Sequence, residues 1–379
     1  MSAKKIIAQS FRQIADDILT GNYGPKVRIA LTTIGSEHGD NLWDKVIAQA
    51  DPKEYDLVLI GKAVGEFEHY SADTLEDAHK IMNKLFTENK IDGAVTLHYD
   101  FPIGVSTVGK VVTPALGKEM FIATTTGTSA FKRVEAMVKN TIIGISTAKA
   151  NGISEPTVGI LNIEGARQVE KLLKALNANG YKINFAESAR ADGGCVMRGN
   201  DLLMATPDVM VCDSLTGNLL IKIFSSFHSG GNYETMGAGY GPGLPTSSLQ
   251  EEVNLINIIS RASGAPQIVQ ALKFCANSAS GKIMNINQVE FENAKKAGFD
   301  DLFKKTEKPR GKAKVQAPTK EIVTHQISGI DILEIEDACQ KLWKENIYAE
   351  TGMGCTGPIV LVTDANANKA RKILGIEEE

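Results

Sequence analysis

Cys355 sits in Gly352-Met353-Gly354-Cys355-Thr356-Gly357-Pro358, a thiol among three glycines and a proline, directly before an apolar run. Glycines let backbone N–H groups come close to a small anion. Several such donors aimed at one point favour a thiolate and a developing oxyanion. Cys355 is therefore the candidate nucleophile and acyl carrier, with the N–H groups of Gly354, Thr356 and Gly357 as candidate oxyanion donors. The competing reading is a glycine-rich turn holding an incidental small residue. Position favours chemistry, because the thiol lies in a tail beyond a linker that the preceding fold does not need. Cys355 precedes a strand and opens no helix, so any lowering of its pKa has to come from the loop or from a neighbouring element.

A second constellation lies in PDVMVCDSLTGNLLIKIF. Asp213 closes an apolar strand, Thr216 and Gly217 occupy a loop, and Asn218 and Lys222 fall four apart on one helical face. The free N–H groups and positive potential of a helix start, together with Lys222 and Asn218, make a phosphate site. The plainer alternative has Thr216 as a helix cap and Lys222 as a solvated lysine. Asp213 is the candidate to orient the lysine or to take a proton from phosphate. The loop Thr124 to Ser129, TTTGTS, also follows a strand and precedes a helix, which makes Ser129 a weaker candidate. His38 and His98, at strand ends, are weaker candidates for a general base, since a lone histidine is more often structural.

These residues need a frame to hold them. Apolar strand-like runs at 27–35, 55–61, 92–99, 120–126, 157–163 and 208–214 alternate with helix-period segments such as AHKIMNKLFTEN and GARQVEKLLKALNANG. That pattern predicts an α/β fold, a doubly wound, mainly parallel sheet with helices on both faces and ligands bound beyond the strand carboxyl ends. The glycine-rich stretch 230–245 reads as a binding loop or interface arm, and helical spacing resumes around SLQEEVNLINIISRA. Domain boundaries are expected at 1–303, a basic Pro- and Gly-punctuated linker at 304–320, and a C-terminal α/β segment at 321–379 carrying Cys355. In that segment IDILEIEDACQKLWKENIYAE reads as a helix, PIVLVTD as a strand and ANANKARKIL as a last helix.

The 379 residues, 43% of them apolar, supply a sizeable core, and a formal net charge of -4 spread along the chain points away from nucleic acid and acidic membranes. MSAKKIIAQSFRQIADDIL reads as an amphipathic first helix, unlike a signal peptide, and no run approaches the roughly 18 apolar residues of a membrane span, so a cytoplasmic location is expected. The five cysteines are odd in number and lack a CxxC pair. They are expected to be free thiols, with no disulfide framework and no metal. The glycines of GAGYGPG neither follow a strand nor open a helix, so no nicotinamide cofactor is expected.

The segment RGNDLLMATPDVMVCDSLTGNLLIK resembles the region of bacterial phosphate acyltransferases where an aspartate is followed by a Gly-Asn pair and a lysine. With TTIGSEHG and the terminal GMGCTGP, the chain resembles, over nearly its full length, the alpha subunits of component C of the glycine/sarcosine/betaine reductase complex. The resemblance implies the phosphate acyltransferase and isopropylmalate dehydrogenase-like fold. It also implies capture of a two-carbon group from a carboxymethyl-selenoprotein, component A, as an acetyl thioester on Cys355, which inorganic phosphate then cleaves to acetyl phosphate. It further implies a component C beta subunit in a hetero-oligomer, Asp213, Asn218 and Lys222 in the shared acyltransferase motif, and no cofactor beyond phosphate as substrate. Two other readings stay open: a stand-alone phosphate acyltransferase, and an idle scaffold that docks a beta partner. Which amino acid feeds the complex, the general base and the role of the other cysteines are not fixed by these residues.

Overall fold

The structure, a computed structural model, describes residues 11, 14–15, 26–99, 101–189, 193–232, 241–247, 253–304, 315–327, 330, 335–354 and 357–376. It divides into two compact units, Met1–Lys304 and Lys305–Glu379.

In the first unit the strands are β1 (Arg28–Thr32), β2 (Asp56–Gly61), β3 (Glu68–Ser71), β4 (Gly93–Leu97), β5 (Val105–Val112), β6 (Glu119–Gly127), β7 (Thr157–Leu161), β8 (Asn184–Phe185), β9 (Val196–Met197), β10 (Val209–Val211), β11 (Gly241–Pro245) and β12 (Ile256–Ile259). Its helices are α1 (Asn41–Gln49), α2 (Leu75–Thr87), α3 (Arg133–Ala150), α4 (Ala166–Ala178), α5 (Gly199–Leu203), α6 (Ser214–Ser229), α7 (Ala265–Ser280), α8 (Ile283–Lys296) and α9 (Phe299–Lys304).

Among the described residues, the strands form one sheet in the order β3-β2-β1-β4-β12-β11-β5-β6-β10-β7-β8, with β9 also on β7. The two ends are parallel, while β11 and β5 run antiparallel to their neighbours and join the halves. Runs such as IALT, LVLIG and GAVTL are buried throughout, as strands covered on both faces must be. Helix α3 is buried from Met137 almost continuously to Ala150. Its polar residues are silenced locally: the hydroxyls of Thr141, Ser146 and Thr147 donate to the carbonyls four residues back.

Two expectations change here. Ile256–Ile259, read as helical, forms β12 between β4 and β11. Isoleucines buried on both faces of a central strand do not alternate, so their spacing mimics a helix. Within the stretch 230–245, residues 233–240 lie outside the described residues, but Gly241–Pro245 is a central, mostly buried strand and not an arm. Gly243 is required there: a Cβ would stand 2.3 Å from the ring of Phe101.

The second unit has β13 (His325–Ile327), α10 (Ile335–Lys344), β14 (Glu350–Gly354), β15 (Gly357–Val362) and α11 (Ala367–Leu374). Its antiparallel sheet, β13-β15-β14, packs with the helices on a small core that includes Ile327, Cys339, Leu342, Val360 and Ala370. Strand β14 was not legible as such; its residues read as the end of a helix and a glycine loop. It pairs with β15 up to Gly354↔Gly357. Cys355 and Thr356, between these paired glycines, lie outside the described residues, as do most of the expected first helix and residues 305–314 of the expected linker. No helix among the described residues is long and apolar enough to cross a membrane.

Candidate active site

A cleft of about 690 Å³ crosses the sheet where its two parallel halves meet. Residues at or just past the ends of three strands reach it: His98 and Tyr99 beyond β4, Ile258 to Arg261 from β12, and Thr125 to Gly127 from β6. Thr107 of β5 and Gly241 of β11 lie between them, and α6 contributes Asn218, Ile221 and Lys222.

Helix α6 is held in place by its first turn. Asp213 is the N-cap: its Oδ1 accepts from the N–H groups of Leu215 (3.1 Å) and Thr216 (3.0 Å), and its Oδ2 accepts from the Thr216 hydroxyl (2.8 Å). The Gly217 N–H donates to the Asp213 carbonyl. Gly217 then lets the helix press onto β6, for a Cβ there would lie 1.9 Å from the Thr124 carbonyl oxygen. This closeness lets the Asn218 amide donate to the Thr125 carbonyl (3.2 Å) and the Thr126 hydroxyl (3.4 Å). Lys222, one turn further on the same face, opens into the cleft.

The structure thus corrects part of the expected phosphate site. The helix-start donors are already engaged by Asp213, so neither Thr216 nor Gly217 lines the cleft, and Asp213 caps a helix where a base or a lysine partner was expected. Asn218 and Lys222 do line it. Ser129 is 4% exposed. It lies 2.7 Å from the Ser106 hydroxyl and bonds to Asn140, whose amide donates to the Cys212 carbonyl, so it ties β5, β6 and α3 together. His38 bonds through Nε2 to the Ala262 carbonyl (2.9 Å) and backs the cleft wall without lining it. His98 lines the cleft from a left-handed backbone conformation (φ +54°), a strained geometry for a non-glycine residue, and its N–H donates to the Ile259 carbonyl.

Glu37, Tyr99, Phe101 and Arg261 also line the cleft, and of these sequence reasoning missed Phe101 and Arg261. Arg261 and Lys222 are exposed, and neither has a carboxylate partner among the described residues. Against the single carboxylate of Glu37, these two cations bias the cleft toward an anion. The only signal for Arg261 in the sequence was its place among small polar residues, SRASG, just before α7.

The four described cysteines are poor nucleophiles. Burial pushes the thiols of Cys195 and Cys339 up to about 11, with further contributions from Glu170 and Glu336 respectively. Complete burial drives Cys212 and Cys275 higher still. Cys355 and the placement of Thr356 lie outside the described residues, so the proposed oxyanion donors are represented only by the paired Gly354 and Gly357.

The family described as "Fatty acid synthesis protein" matches residues 27–361. The glycine/sarcosine/betaine reductase complex component C subunit alpha of Peptoclostridium acidaminophilum is 53% identical over 378 residues, covering 98% of this chain and 97% of that one. This chain belongs to the component C alpha-subunit family. A phosphate acyltransferase of Thermotoga petrophila is 25% identical over 236 residues, 52% of this chain and 67% of that one. A branched-chain phosphotransacylase from Enterococcus faecalis superposes with a TM-score of 0.45 at 13% identity, covering 66% of this chain and 99% of that one. In component C alpha-subunit terms, the cleft of the first unit falls within the matched region, as does the Gly354 to Gly357 hairpin.

Proposed function

We propose that this chain is the acetyl phosphate-forming acyltransferase subunit of a glycine reductase complex. Lys222 and Asn218 hold inorganic phosphate in the cleft, with Arg261 as a second cation. Cys355 carries the acetyl group as a thioester, received from the carboxymethyl group on the complex's selenoprotein. The C–Se bond breaks reductively, the two electrons coming from a second thiol that ends joined to selenium in a Se–S bond, and the carboxyl group loses water as the C–S bond to Cys355 forms. A phosphate oxygen attacks the thioester carbonyl carbon, the new C–O bond forms, and the C–S bond breaks with the Cys355 thiolate as leaving group. Donors around Cys355, from Gly354, Thr356 and Gly357, stabilise the tetrahedral oxyanion. Both acyl carriers are high in energy, so positioning and charge stabilisation are the main demands. His98 is the lining group suited to take a proton from phosphate. Asp213 acts at one remove, by fixing α6.

The observation that carries this reading is Lys222, which has no carboxylate partner among the described residues, one turn beyond an asparagine anchored to β6 and inside a cleft biased toward anions. The unreactive surroundings of the four described thiols support Cys355 as the carrier. A beta partner and a cytoplasmic hetero-oligomer belong to the same reading. They fit the exposed apolar stripe Leu215, Leu219, Ile223 and Phe227 on the outer face of α6. A second reading, a stand-alone phosphate acyltransferase using free thioesters, is favoured by a cleft built wholly within the first unit.

The test is phosphate binding followed by ³¹P line broadening. Lys222→Ala should weaken phosphate tenfold or more, the loss expected for a hydrogen bond to a charged group worth roughly 1.5–3 kcal/mol. Unchanged phosphate affinity in Lys222→Ala sinks the assignment. Mass spectrometry of the acetyl-enzyme separates the two enzyme readings, since only the first requires an acetyl adduct on Cys355.

A further inference from the structure

An amide side chain has two ends of opposite character: its nitrogen donates hydrogen bonds and its oxygen only accepts them. At Asn218, β6 tells the two ends apart. A backbone carbonyl can only accept, so the atom 3.2 Å from the Thr125 carbonyl is Nδ2, and the same nitrogen lies 3.4 Å from the Thr126 hydroxyl. Its two hydrogens face two acceptors on β6. The end left for an occupant of the cleft is Oδ1, to which nothing donates among the described residues. Such an oxygen opposes an oxyanion without a proton and accepts from one that carries a hydroxyl.

The donors at this corner come from other groups. Thr107 and Thr125 both line the cleft, but their hydroxyls are 2.8 Å apart and bond to each other. Thr126, half-buried in the lining, accepts from Asn218 and donates to nothing among the described residues, so its hydroxyl proton is available to the cleft. Lys222, one helical turn from Asn218, attracts an anion whether or not it is protonated. The lining also holds the Glu37 carboxylate, kept beside Arg261 by its backbone N–H, which donates to the Arg261 carbonyl (3.0 Å).

We propose that Asn218 sets which tetrahedral oxyanion the cleft accepts: its Oδ1 takes the hydrogen bond of a P–OH group, while Thr126 and Lys222 donate to the bare oxygens. This rests on reading the cleft as a phosphate site. Near neutral pH phosphate always carries a proton and sulfate carries none, although the two ions are alike in shape and size. The site therefore separates them by that proton. It also turns the protonated oxygen toward α6 and leaves a bare one to attack the acyl carbon.

The experiment uses the full chain, with phosphate followed by ³¹P line broadening at constant ionic strength and sulfate or arsenate added as competitor. In the wild type sulfate should bind about tenfold more weakly than phosphate, or worse, because a site built to accept a hydroxyl rejects the analogue that lacks it. Arsenate, which keeps its proton, should compete about as well as phosphate. Asn218→Ala should weaken phosphate and leave sulfate within about twofold, so that the preference collapses. Thr126→Val should weaken both anions alike and keep the preference, and Thr126→Ser should restore both. Glu37→Gln should keep the wild-type preference. Sulfate binding as tightly as phosphate in the wild type, a preference that survives Asn218→Ala, or one that collapses in Glu37→Gln instead would overturn the role of Asn218, while phosphate binding lost in Lys222→Ala would leave the phosphate site standing. Parallel loss of both anions in Asn218→Ala, the result expected of a residue that only braces α6 against β6, would overturn it too. Unchanged affinity for both anions in Thr126→Val would overturn the part given to that hydroxyl. Absence of phosphate binding in the wild type would remove the site and this inference together.

Discussion

The two units are scaffolds of different scale. In the first, every group at the cleft is borne on or next to a strand or helix of one large sheet, and each is positioned by neighbours: Asn218 by β6, Tyr99 by His79, the start of α6 by Asp213. In the second, a small core supports a three-stranded sheet, and Cys355 falls between Gly354 and Gly357, the last pair of the β14–β15 ladder. Groups at the cleft are fixed by a broad scaffold, whereas the second unit's scaffold is small. In the proposed function a site that recognises phosphate gains from preorganisation, and a thiol that receives an acyl group and yields it gains from access.

The largest expected effect tests that division directly. Cys355→Ala should abolish the acetyl adduct seen by mass spectrometry and leave phosphate affinity within twofold; a persisting adduct would move the carrier to another residue. Next, Gly217→Ala introduces a Cβ that meets the Thr124 carbonyl at 1.9 Å, a backbone atom with little room to yield. Overpacking of this kind costs about 1–3 kcal/mol. It should lower the unfolding midpoint of the first unit and, by lifting α6 from β6, also weaken phosphate. Loss of stability with phosphate affinity intact would show that Asn218 and Lys222 do not depend on that contact.

What could be read before folding also divides along this line. The six apolar runs all became strands, β1, β2, β4, β6, β7 and β10, because strands buried on both faces are written as continuous apolar residues. Strand β11, GPGLP, carried the signature of a loop, and only its close approach to Phe101 explains its glycine. Asn218 and Lys222 were legible because both lie on one helix, four residues apart. Arg261 and Phe101 were not, since they meet those two only through strand order, which local spacing does not encode. Asp213 was noticed as a strand-end carboxylate, and the structure adds that, directly before a helix, it is a cap.

The burial of the four described thiols makes a pH prediction. Cys195 and Cys339 are raised to about 11, so at pH 8 their thiolates are a small minority and grow only as pH approaches that value. Cys212 and Cys275 lie above it. A low dose of iodoacetamide at pH 8 should therefore label Cys355 first, and phosphate or acetyl phosphate should slow that labelling. Fast labelling of a first-unit cysteine in the native protein would mean that its burial is easily undone.

The smallest expected effect separates two meanings of Asp213. As a cap, its value lies in accepting N–H groups, which an asparagine also does; as a base, its value lies in a titratable carboxylate. Asp213→Ala should cost about 1 kcal/mol of stability, within the usual 0.5–2 for losing a cap, and loosen phosphate through α6. Asp213→Asn should restore most of both, although the Thr216 hydroxyl must then turn to a different acceptor. If Asp213→Asn is as inactive as Asp213→Ala yet as stable as the wild type, the carboxylate itself takes part in the reaction, and the cap seen here serves to aim it.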